Sequence, residues 1–133
     1  MPEGWDYFDA LALDSVGDPP SGGVGLTRII GLIDYVNRTV LTHDEMEQAL
    51  GRLLAVGLIE EVNLQFRRTT LGEDLRSSCP ARASIDRARW IATYLHDRID
   101  CPSTIEWSLP QAAFEDALTA YHDEMRRLIE RRN

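Results

Sequence analysis

Lysine is missing from this chain: the 14 basic residues among its 133 are all arginine. That excludes the lysine-bearing phosphate loop of nucleotide hydrolases, and Gly22-Gly23-Val24-Gly25 is too short for a dinucleotide-binding turn. Cysteine is scarce. Cys79 and Cys101, each followed by proline, bracket a helical pattern over residues 85–99 that would hold them about 22 Å apart, far beyond disulfide reach. Two cysteines without C-x-x-C spacing also make a poor zinc site, so free thiols are expected. No apolar run approaches the roughly 20 residues that cross a bilayer. The acidic start, MPEGWDYFDALALD, has neither the basic segment nor the apolar core of a secretory signal. The expectation is a soluble cytoplasmic protein with no membrane partner.

Catalytic signatures are missing too. No G-x-S-x-G frames a nucleophile, H-E-x-x-H does not occur, and His43, His96 and His122 stand far apart. His122-Asp123-Glu124 is a run of metal-ligand types, but adjacent helical residues point about 100° apart, and a solvated face explains the run. No enzyme activity, metal or cofactor is expected.

What is present fits one globular domain. The chain is 44% apolar and 27% charged, with net charge −8. Residues 1–24 carry −5 of it, through Glu3, Asp6, Asp9, Asp14 and Asp18. Such a balance is unhelpful for holding phosphate backbones, although a small basic patch acts within a Debye length of about 8–10 Å.

Apolar spacing places a first helix over residues 5–16, ended by the turn chemistry of GDPPSGGVG. A short buried helix follows from Leu26 to Val36, with Thr27 as its expected cap. Thr42-His43-Asp44-Glu45 is a capping box opening a helix whose apolar positions Met46, Ala49, Leu50, Leu53 and Leu54 form one face, and Gly57 stops it. Residues 58–62 and 65–69 read as two strands turning at Asn63-Leu64, and Thr70-Leu71-Gly72-Glu73 opens a short helix. Ile85, Ala88, Ala92, Leu95 and Ile99 mark a helix capped by Ser84, and a polar connection runs from Asp100 to Ser108. Pro110 begins a last helix to about Arg131. Its residues Phe114, Leu118, Tyr121, Met125 and Leu128 recur at heptad spacing, with Glu115 and Asp116 toward its start and Arg126, Arg127, Arg131 and Arg132 at its end. The fold class is α+β, mostly α.

From Leu26 to Leu75 the order of parts resembles a winged helix-turn-helix domain. "LLAVGLIEE" and "FRRTTLGEDL" look like its strand, wing, strand and helix return; the "GLI" and the "T-x-x-G" are familiar in MarR- and PadR-type transcription regulators. The resemblance covers about fifty residues. It implies a winged helix with a small β-hairpin in residues 1–79 and two additional helices in 80–133 serving as a dimerisation arm.

If the resemblance extends to function, the chain is a DNA-binding transcription regulator. Helix 43–56 would then enter the major groove of double-stranded DNA, presenting His43, Asp44, Glu47, Gln48, Gly51 and Arg52. Gln48 would pair with adenine and Arg52 with guanine or a phosphate. Arg67 and Arg68 on the wing, with Arg28 and Arg38, would hold phosphates. A homodimer through Phe114, Leu118, Tyr121, Met125 and Leu128 would space two reading helices about 34 Å apart. Against this stand Asp44, Glu45 and Glu47 at the helix start and Glu60 and Glu61 at the wing base, since each carboxylate near a phosphate costs on the order of 1 kcal/mol. The alternative is a repurposed winged helix that makes protein contacts and binds no DNA, its arginine pair protecting an exposed edge strand. Trp90, Tyr94 and Tyr121 would line any apolar ligand pocket beneath the terminal helices, or simply belong to the core.

Overall fold

A computed structural model describes residues 4–19 and 22–132, and the side chains of 4–19 and 22–131. Pro20 and Ser21 of the expected turn, and the side chain of Arg132, lie outside the described residues. The architecture is mostly helical, with one two-stranded antiparallel sheet.

Helix α1 (Tyr7–Ser15) starts in a capping box not foreseen from the sequence: Asp6 accepts from the Asp9 amide at 3.1 Å and Asp9 from the Asp6 amide at 2.8 Å. Helix α2 (Leu26–Asn37) is capped by Gly25 without a side-chain bond. The expected cap, Thr27, instead donates its hydroxyl to the carbonyl of Ala117, 3.5 Å away. Helix α3 (His43–Ala55) opens with the Thr42–Glu45 box as expected, and Gly57 follows it with φ 76°.

Strands β1 (Ile59–Val62) and β2 (Gln65–Arg68) pair in a register that sets Glu60 opposite Arg67. Their turn holds Asn63 and Leu64 at φ 51° and 61°, the mirror-image geometry of tight hairpins, reached without a glycine. The Glu61 carboxylate accepts the Leu64 amide at 2.7 Å and fixes the bend. Gly17 and Val24, expected only in a turn, also bridge to the outer side of β2. Val24 exchanges two 2.8 Å backbone bonds with Phe66, and Gly17 bonds both Phe66 and Arg68.

Helix α4 (Thr70–Ser77) is capped by Thr69, one residue before the expected start. It lies so close to the hairpin that a Cβ on Gly72 would sit 2.0 Å from the Leu58 carbonyl oxygen. Helix α5 (Ser84–Arg98) follows Ala83, so Ser84 is its first residue rather than its cap. The last helix, α6 (Gln111–Arg132), is about 33 Å long at 1.5 Å per residue.

One apolar core joins all six helices: Leu11, Leu13, Ile30, Leu50, Phe66, Leu75, Ile91, Leu95 and Phe114 belong to a single buried cluster. Helix α1 is its hub, packing on α2, α3, α4 and α5, while α6 lies across α2. Among the described residues α5 and α6 do not pair as a hairpin, because each has its own partner. The Trp5 indole donates to the Ile99 carbonyl at 2.8 Å and binds the chain start to the end of α5. No helix of the described residues is long and apolar enough to cross a membrane.

Candidate functional site

The face of α3 opposite its apolar stripe is the natural place to look for a reading surface. In the structure it is partly covered, with Asp44 and Gln48 left exposed. Residues 100–109, expected as a polar connection, run back over α3 as an extended strap with Ile105, Trp107 and Leu109 turned toward the protein at alternate positions. Gly51 makes room for it, since a Cβ there would meet the Ile105 Cδ1 at 2.7 Å. Trp107 packs edge-on against Phe66, with ring centroids 5.8 Å apart, and Leu109 is buried. Between α3 and the strap remains an open cleft of about 300 Å³, lined by Asp44, Glu47, Gln48, Arg52 and residues 102–105.

His43 and Glu47 hold the far end of the strap. His43 Nε2 lies 2.6 Å from the Leu109 carbonyl, and Glu47 accepts the Leu109 amide at 2.9 Å. His43 Nδ1 faces the Asp44 carboxylate at 3.0 Å, and the Phe114 ring meets the imidazole edge-on. Both ring nitrogens thus face acceptors, an arrangement satisfied in full only by the doubly protonated ring. The Leu109 carbonyl, then Asp44, raise the His43 pKa above its ordinary value against the effect of burial. His43, Asp44 and Glu47 bring three ligand-type atoms within 4.8 Å of one another. Those atoms are already engaged with the strap and with each other.

The arginines expected to meet DNA are mostly spent inside the fold. Arg52, 6% exposed, donates to the Asp9 carboxylate at 3.1 Å and to the Gly4 carbonyl. Burial pushes the Asp9 carboxyl up to about 7, against the lowering effects of the Asp6 amide and Arg52. Arg68 is 2% exposed; its guanidinium donates to the carbonyls of Leu13 and Val16 at 2.9 and 2.8 Å, to Glu73 at 2.7 Å, and to Asp18. The groups it satisfies include carbonyls that the end of α1 leaves open. The expected outward positions of Arg52 and Arg68 are therefore corrected: both point inward because their counter-charges lie on and just after α1. Arg67 pairs across the hairpin with Glu60 at 2.6 Å and also donates to the Pro19 carbonyl. Of the expected set, Arg28, Arg38 and Gln48 are exposed, and the two arginines make no ion pair with another described residue.

The acidic start of the chain is the other half of this network. Asp9 pairs with Arg52, Asp18 with Arg68, and Asp14 accepts from Arg76 at 2.7 Å and Arg87 at 2.8 Å. The concentration of −5 in the first 24 residues was the available signal that later arginines have partners nearer than a phosphate. The chain matches no family model, no curated protein and no solved structure.

The expected dimer seam is divided by the fold. Phe114 and Tyr121 are buried against their own chain, the Tyr121 ring resting on Gly31 and its hydroxyl donating to Asp34. Burial, and then the Asp34 bond, raise the Tyr121 pKa to about 12. Leu118 is half-buried, whereas Met125 and Leu128 are 39% and 50% exposed, and Ile129, outside the expected set, is 59% exposed. Tyr121 does not join Trp90 and Tyr94 in a pocket. It lines an open groove of about 450 Å³ with Gly25, Thr27, Arg28, Gly31, Leu32 and Glu124, while Trp90 and Tyr94 stack on each other along α5, with Arg98 over the Tyr94 ring.

Proposed function

We propose that the chain is a winged-helix module that works through protein contacts, its nucleic-acid-reading face closed by its own strap. The element order from α1 to β2, with Gly17 and Val24 bridging to β2, supports the winged-helix reading. The observation that carries the functional reading is the strap over α3: Ile105 covers Gly51, Leu109 engages His43 and Glu47, and of the six residues expected to meet DNA from this helix only Asp44 and Gln48 are left exposed. Arg52 and Arg68 support it further, because Arg52 cannot leave without stranding the buried Asp9 carboxylate, nor Arg68 without stranding the buried Leu13 and Val16 carbonyls. The module's contact surface is the exposed half of the α6 seam, where Met125, Leu128 and Ile129 offer an apolar patch to a second copy.

Two measurements test this together. Electrophoretic mobility with mixed double-stranded DNA at about 50 mM salt, where phosphate contacts are strongest, is expected to show no shift. Light scattering is expected to show mass rising from monomer toward dimer with concentration. A salt-sensitive DNA complex would overturn the first half of the reading, and a monomer at every concentration the second.

A further inference from the structure

The self-association reading leaves open how two copies meet, and α6 itself answers that. Its last strongly buried residue is Tyr121; residues 124–131 are all exposed. About two helical turns therefore stand clear of the body, shorter than the roughly 12–15 residues an isolated helix needs to hold in water. Tyr121 and Phe114 are occupied by α2 and α3, so the stripe left beside them is the half-buried Leu118 and the exposed His122, Met125 and Ile129, spaced 4, 3 and 4. That is heptad spacing.

Charge along the same helix changes sign at Met125. Glu115, Asp116, Asp123 and Glu124 precede it; Arg126, Arg127 and Arg131 follow, with Glu130 the one exception among side chains described there. A parallel pair would stack acid on acid and base on base. An antiparallel pair lays the basic end of each helix over the acidic start of the other.

We infer that two copies of the chain pair antiparallel through α6, Leu118 of each against Ile129 of the other and His122 against Met125. This inference rests on the self-association reading. The register alternates the two kinds of seam position, as antiparallel helix pairs require. The overlap of residues 115–132 is about 26 Å long. Two helices over that length bury less than the about 1,200 Å² of a standard interface, so the pair forms in a concentration-dependent equilibrium.

The test uses the full chain with Cys79→Ser and Cys101→Ser, carrying either Leu118→Cys or Ile129→Cys, under mild oxidation at concentrations where the parent chain is dimeric by light scattering. Mixing the two variants is expected to give a crosslinked heterodimer, with little product from Ile129→Cys alone. Ile129→Glu, an exposed change that spares the core, is expected to abolish pairing by placing a carboxylate in the seam. Crosslinking of Ile129→Cys with itself would overturn the antiparallel arrangement, as would a dimer giving neither crosslink. A parent chain that stays monomeric would overturn the self-association reading beneath it.

Discussion

Arg68 separates an arginine that reads DNA from one that holds a protein together. Replace it with methionine, which keeps much of the length and apolar stem but donates nothing. The Leu13 and Val16 carbonyls lose their 2.9 and 2.8 Å partners in a place water does not reach. Each buried acceptor so stranded costs about 1–3 kcal/mol. Glu73 and Asp18 lose their counter-charge as well, but Asp18 is 65% exposed and is readily hydrated, so it adds little. Removing a buried guanidinium also relieves its own desolvation, which offsets part of the loss. The net is about 3–5 kcal/mol, a large share of the 5–15 kcal/mol that holds an ordinary domain. Urea unfolding followed by circular dichroism should show the midpoint falling with unchanged slope. Arg68→Lys should recover only part, since three donors on a flexible stem cannot replace a planar five-donor fork. A surface arginine that merely waits for a phosphate would change stability by less than about 0.5 kcal/mol. A loss that small in Arg68→Met would refute the buried-anchor argument.

Other consequences follow from neighbouring groups. Asp9→Ala leaves Arg52 buried without its carboxylate and is expected to destabilise by about 3–5 kcal/mol in the same unfolding assay. Gly72→Ala forces the α4 backbone away from the Leu58 carbonyl and should cost more than about 2 kcal/mol, well beyond the gain in helix propensity, as read by thermal unfolding. His43, whose pKa is raised in the fold, gives stability that is complete below the imidazole's ordinary pKa and is lost as pH rises through the folded value. Hydrogen exchange at the Leu109 amide should therefore quicken from acid to mildly alkaline pH beyond the intrinsic chemical rate. His43→Gln, which still donates to the Leu109 carbonyl, should remove that extra component.

The helices and hairpin were legible because their signals are local. The Thr42–Glu45 box, the glycine after α3 and the 3-and-4 spacing of apolar residues each act within a few positions. Boundaries slipped by a residue where two candidates were adjacent, as with Thr69 and Thr70. Contacts made at long range left a weaker trace. Nothing near Arg52 announces an aspartate 43 positions earlier, and only the lopsided distribution of acid hinted at it. Three alternating apolar residues in a polar, proline-bearing stretch were too few to reveal the strap. The heptad on α6 was visible, but periodicity alone could not tell that Phe114 and Tyr121 serve the chain's own core while Met125 and Leu128 remain outside.

The backbone bonds that Gly17 and Val24 make to β2 have a consequence for how this small sheet meets its surroundings. On the far side of β2 they spend backbone donors and acceptors that would otherwise invite another chain to add a strand. Among the described residues the β1 side is left for such growth, and there Glu60 and Glu61 come in succession. Glu60 is paired with Arg67 across the hairpin, so a copy approaching edge to edge meets a charged pair on that face rather than an apolar strip. Fibrillar stacking through the hairpin is thereby discouraged by hydrogen-bond saturation on one border and by charged side chains on the other.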